Sequence, residues 1–193
     1  MRWILSLAAA VALIATGTSV QAQTTFTFGG YVKMDAMTSN FHNGPVPLDN
    51  ALRDFHFPGA IPVGSESDVF ATNDYHAKES RFNLETRTTV GEKALRAFVE
   101  MDFLLAGQDD ERVSNSFNPR LRHFFFVYDE WTFGQTWTTF QILDLPDDLD
   151  FAGAADGIIF NRQPQVRFST GRWQFAVENT ATALTPNGGG WAS

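Results

Sequence analysis

Seven basic side chains stand at alternating positions along the chain: Lys33, Arg81, Arg87, Arg96, Arg120, Arg122 and Arg167. A guanidinium fork can bond both oxygens of one carboxylate, so a wall of arginines suits the recognition of small anions. The opposite charge is concentrated elsewhere. Asp144, Asp147, Asp148, Asp150 and Asp156 form the densest acidic stretch, with no base among them. Bases on one wall and acids on a facing segment would set a transverse field, and side-chain charge of this kind sets ion preference in a pore. This chemistry is selection without reaction: no catalytic residue, cofactor or metal is expected. Read by itself, the Asp run is also compatible with a solvated loop, or with divalent cations bridging lipid headgroups. Likewise, the arginines are also compatible with structural pairing to Glu85, Glu100 and Asp102.

Other reactive groups give weaker patterns. The sequence has no cysteine, which excludes disulfide scaffolds, thiolate zinc sites and cysteine nucleophiles. His42, His56 and His76 lie far apart in a long connection, in no metal-binding spacing. Ser80 and Ser169 have no Gly-x-Ser-x-Gly context, and the Asp run lacks the glycine and terminal glutamate of an EF-hand loop. With 14 Lys and Arg against 22 Asp and Glu, the formal charge of -8 argues against a nucleic-acid partner.

The elements that must position these groups are strands. Hydrophobic residues make up 44% of the 193 and aromatics 14%, with 19 Phe and 5 Trp interleaved among polar residues. From Thr25 to Met37, Phe26, Phe28, Val32 and Met34 alternate with Thr27, Tyr31, Lys33 and Asp35. The period of two predicts a strand with one apolar and one polar face. Arg81, Asn83, Glu85 and Arg87 repeat it against Phe82 and Leu84, and Arg96, Glu100 and Asp102 against Val99 and Met101. Arg120 and Arg122 share a parity with Phe124, Phe126 and Tyr128, which leaves His123 on the outward parity. A shorter strand near Trp131–Trp137, one carrying Gln163, Gln165 and Arg167, and one carrying Trp173, Phe175 and Val177 bring the count to about seven.

Short reversals near Gly91, Asp129 and Gly171 contrast with long connections over residues 38–78 and 138–161. Short turns at one end, long loops at the other and aromatics fit for interfacial girdles are the pattern of a transmembrane antiparallel β-barrel. Residues 1–22, with Arg2 ahead of an apolar run and small residues before the end, read as a secretory signal peptide. The barrel domain is therefore expected over 23–193. The alternatives left open are an exported soluble β-rich binding protein and a non-functional truncated porin fragment.

Five segments carry a resemblance: Tyr31–Ala36 (YVKMDA), Phe57–Glu66 (FPGAIPVGSE), Gly134–Phe140 (GQTWTTF), Leu149–Ala152 (LDFA) and Arg162–Phe168 (RQPQVRF). In order and approximate spacing they resemble DcaP-like outer-membrane porins. The resemblance implies a homotrimer of barrels of about sixteen strands in outer-membrane lipid, passing small anionic solutes such as dicarboxylates. It also implies that the third extracellular loop, here carrying the Asp run, folds into the pore as the constriction. The chain departs from the family in lacking a helical segment before the first strand and in an odd strand count. It ends at Gly188-Gly189-Gly190-Trp191-Ala192-Ser193 in what reads as a loop, so the expectation is the N-terminal part of a longer parent.

Overall fold

The structure is a computed structural model that describes residues 23–42, 44–47, 50–55, 61, 63–64, 69–104, 116–141 and 161–179. The proposed signal peptide and the Asp144–Asp156 stretch lie outside the described residues. Nine strands occur among the described residues, in chain order: β1 (Thr25–Tyr31), β2 (Asp35–His42), β3 (Val69–His76), β4 (Arg81–Val90), β5 (Lys93–Asp102), β6 (Arg120–Tyr128), β7 (Trp131–Trp137), β8 (Arg162–Thr170) and β9 (Trp173–Glu178). Seven of them form one antiparallel sheet in the order β1-β4-β5-β6-β7-β8-β9, which is not closed among the described residues. The all-β antiparallel architecture expected from the alternation is thus the one observed.

Three reversals share one construction. Val90 pairs with Lys93, Tyr128 with Trp131 and Thr170 with Trp173, leaving two residues in each turn. The first turn residue is left-handed each time: Gly91 at φ 64°, Asp129 at 54° and Gly171 at 56°. A positive φ at that position matches the right-handed twist of the flanking strands. All three turns lie at one end of the sheet.

The stretch 38–78 is not the plain loop that its sequence suggests. β2 and β3 pair antiparallel from Asp35 opposite His76 to His42 opposite Val69, as a separate two-stranded sheet. Their alternation is of small and polar residues, which gives little hydrophobic signal. Stability comes instead from a local cluster of Phe41, Val46 and Leu52 with Phe70 against it, and from Arg53 paired to Asp74 at 2.9 Å. The strand expected to run unbroken from Thr25 to Met37 is interrupted at Val32–Met34, where the chain passes from the large sheet to the small one. Just before the break Gly30 has φ 129°, and a Cβ there would stand 2.1 Å from the Arg81 carbonyl oxygen. Only glycine fits so close to the neighbouring backbone.

The large sheet has two unlike faces and no second layer among the described residues. Register places Phe26 and Phe28 of β1 beside Thr86 and Leu84 of β4, and these beside Ala97 and Val99 of β5. Phe124 and Phe126 of β6, Phe133 of β7, Val166 and Phe168 of β8, and Phe175 and Val177 of β9 continue that face. Phe28 is 81% exposed, Trp173 70% and Val177 79%. Water would make such a patch very costly, whereas a barrel wall turns it to lipid. The opposite face carries the buried polar groups.

This division of faces yields a paired expectation. Val99→Arg, in the middle of the apolar face, should cost roughly 2–4 kcal/mol of insertion. Asn83→Arg faces the other way, opposite Glu100, and should insert normally. Folding yield into vesicles, read by heat-modifiable gel mobility, checks the pair; equal loss for both would contradict the assignment of faces.

Candidate functional site

The polar face collects its charge by register. Tyr31 lies opposite Arg81, Gly29 opposite Asn83, Thr27 opposite Glu85 and Thr25 opposite Arg87. Across the next ladder Arg87 stands beside Arg96, Glu85 beside Phe98 and Asn83 beside Glu100. Glu85 takes both arginines: Arg87 on Oε1, and Arg96 on Oε2 through Nε at 2.8 Å and Nη2 at 2.7 Å. Arg96 also lies over the rings of Phe98 and Phe125, at 5.3 and 5.4 Å from their centroids. Two cations thus share one carboxylate, leaving local positive charge at a point open to solvent.

Between β5 and β6 the register slips at Glu100/Met101. Glu100 opposes His123, whereas the adjacent Met101 opposes Leu121, so Arg122 is the extra residue of a β-bulge. A bulge breaks the period of two. Arg120, Arg122 and His123 therefore all reach the polar face, while Phe124, Phe126 and Tyr128 stay with the apolar one. This corrects the sequence expectation, which put Arg120 and Arg122 on the parity of the phenylalanines and His123 outward. His123 is buried, bonds the Thr136 hydroxyl at 3.1 Å and meets Phe98, Phe125 and Trp137 ring to ring.

The bulge builds a compact ion network. Arg120 donates two parallel bonds to Asp102, at 2.8 and 2.6 Å. Arg122 bridges Glu100 at 2.7 Å and the same Asp102 at 2.8 Å. Asp102 is wholly buried and the Arg122 side chain nearly so. Arg81 contacts Glu79 at 3.8 Å and lies 5.4 Å from the centroid of the Tyr31 ring. Arg167 faces the same way on β8, and its buried Nε has no hydrogen-bond partner among the described residues.

Lys33 is placed differently. It sits in the break between β1 and β2, paired to Asp35 at 3.0 Å and to Glu79. Desolvation works against its ammonium, but hydrogen bonds to Glu79 and Asp35 outweigh it and raise the pKa above the usual lysine value. Lys33 thus ties the small sheet to the large one. Sequence reasoning missed Arg162. Its parity groups it with Pro164 and Val166, yet at the mouth of β8 it lies over the Trp137 ring at 4.5 Å, within electrostatic reach of Arg81, Arg120 and Arg122. The signal available was the strand end beside a tryptophan, where alternation is a poor guide. Glu178, on the polar parity of β9, accepts hydrogen bonds from the Thr139 amide and hydroxyl at 3.0 and 2.8 Å. No group of three or more metal-ligating side chains occurs among the described residues.

No protein-family model matches the chain, and no curated protein matches it significantly. Among solved structures it is similar to the outer membrane channel DcaP of Acinetobacter baumannii, with 27% identity over 88% of this chain and a TM-score of 0.58. The chain spans 46% of the length of that channel's chain. This likeness bears out the resemblance to DcaP-like porins that the sequence segments carry.

The ion network has a measurable consequence. Removing the shared carboxylate by Asp102→Ala leaves Arg120 without its partner and Arg122 with Glu100 alone. Loss of one member of a buried pair costs about 3–5 kcal/mol, and Arg120, one-quarter exposed, should place the result at the lower end. Denaturant titration of folded protein in detergent should show this, with Asp102→Asn intermediate.

Proposed function

We propose that this DcaP-like chain contributes to an outer-membrane channel through which small hydrophilic solutes diffuse passively, anions such as dicarboxylates ahead of cations. One observation carries the reading. The sheet gathers Arg81, Arg87, Arg96, Arg120, Arg122 and Arg167 on a single face, and its back is an uncovered aromatic face. A soluble sandwich would cover that back with a second layer, and the described residues supply none. The likeness to an outer membrane channel supports the same membrane.

Within this reading the polar face lines water. Arg87 and Arg96, sharing Glu85, and Arg167 supply the net positive charge, whereas Arg120 and Arg122 are balanced by Glu100 and Asp102. Low-dielectric walls focus the field of even a small surplus along a narrow aqueous path. The acidic residues Asp144, Asp147, Asp148, Asp150 and Asp156 are proposed to face this basic wall across the passage. Homotrimeric assembly in outer-membrane lipid belongs to the same proposal.

Planar-bilayer recording under a salt gradient tests it. Replacing Arg87, Arg96 and Arg167 together by Ser should move the reversal potential toward cations and slow dicarboxylate flux. Asp147, Asp148 and Asp150 replaced by Asn should move it the other way. If the arginine changes leave selectivity unaltered while the aspartate changes abolish it, the wall does not set preference.

A further inference from the structure

The first turn after β7 is tied to a strand that is not its neighbour. Glu178 stands at the end of β9 on the polar parity, opposite Gln165. Its Oε1 accepts from the Thr139 amide at 3.0 Å and the Thr139 hydroxyl at 2.8 Å. β8 lies between β7 and β9 in the sheet. Thr139 therefore meets Glu178 by crossing β8 on its polar side. Neighbouring bonds hold the same exit. The Thr138 amide donates to the Asn161 carbonyl at 3.0 Å, the Gln141 amide donates to the Thr138 carbonyl at 3.0 Å, and Gln165 Nε2 donates to the Trp137 carbonyl at 2.9 Å.

A chain leaving an antiparallel strand has no intrinsic reason to bend over one face rather than the other. Backbone bonds close a tight turn at Thr138–Gln141 and tie its first residue to Asn161. The aim comes from the carboxylate: an ionised acceptor taking two donors from one residue is a strong, directional tie. We infer that Glu178 is a positioning residue that holds the Thr138–Gln141 turn over the polar face and so narrows the passage beside that turn. This rests on the channel reading above. Its role is hydrogen-bond acceptance at Oε1, not charge presented to the solute.

Two measurements test it. The chain has no cysteine, so Thr139→Cys with Glu178→Cys gives a clean pair for a short bifunctional thiol reagent on folded, detergent-solubilised protein. Intramolecular cross-linking is expected, and its absence in folded protein overturns the inference. In planar bilayers, Glu178→Ala should raise single-channel conductance and open-channel noise. Glu178→Gln, whose carbonyl accepts the same two bonds, should stay near the unsubstituted protein. An equal rise in both variants assigns the effect to lost charge and overturns the inference, as does no change in Glu178→Ala. Should Glu178→Ala fail to insert, Thr139→Ala removes only the hydroxyl donor and should shift conductance the same way by less; no shift overturns the inference. Cross-linking of the double cysteine variant, together with unsubstituted protein that carries no current, would sink the channel reading, with the tie itself still observed.

Discussion

One extra residue in β6 decides which way half of the site faces. Side chains on a strand alternate strictly, so without the bulge at Arg122 the guanidiniums of Arg120 and Arg122 would lie among Phe124, Phe126 and Tyr128. Burying two cations in an apolar face is prohibitive unless each is paired there. With Arg122 inserted against the Glu100–Met101 step, both arginines meet Glu100 and Asp102 and the three aromatics keep to the other side. The bulge and the ion network need each other. The network supplies four charge-assisted bonds at the one place where the ladder loses its regular pairing.

The same accounting separates arginines that hold the wall from arginines that the proposed channel would use across it. Arg120 and Arg122 are matched by two carboxylates and, being largely buried, serve cohesion. Arg87 and Arg96 divide a single Glu85 and remain more exposed. Arg96 also spreads its planar cation over Phe98 and Phe125, a contact that holds the guanidinium without neutralising it. In the proposed channel, the arginines left with surplus charge are therefore not the ones that hold β5 to β6.

Much of this was legible in the alternation. Strands carrying Arg81–Arg87, Arg96–Asp102, Gln163–Arg167 and Trp173–Val177 face as their period of two requires, and the turns at Gly91, Asp129 and Gly171 fall where polar pairs interrupt it. The failures share a cause. At Arg122 and at Arg162 the local pattern was sound, but a register slip and a strand end removed the rule that converts position into direction. β2 and β3 escaped notice for a different reason. Their cluster draws Val46 and Leu52 from the connection after β2 and only Phe41 and Phe70 from the strands, and neither strand shows a clean apolar parity of its own.

The sign of selectivity turns on distance more than on total charge. A formal charge of -8 averaged over the surface would favour cations. Much of the acid, however, stands in connections, including Glu66, Asp68, Asp109, Asp110 and Glu111, and at physiological salt an exposed charge reaches only about 8 Å. In the proposed channel, a solute passing the polar face would be governed by what lies within that radius: Glu85 with two arginines, a balanced network at Asp102, and Arg167 beyond it. Each carboxylate on that face is already committed, to Arg87 and Arg96, to Arg120 and Arg122, or, for Glu178, to Thr139. At Glu85 and Asp102 an entering cation meets carboxylates whose charge is already offset by arginines. An anion can approach Arg87, Arg96 and Arg167 without breaking any of these bonds, and the proposed anion preference of the wall rests on that.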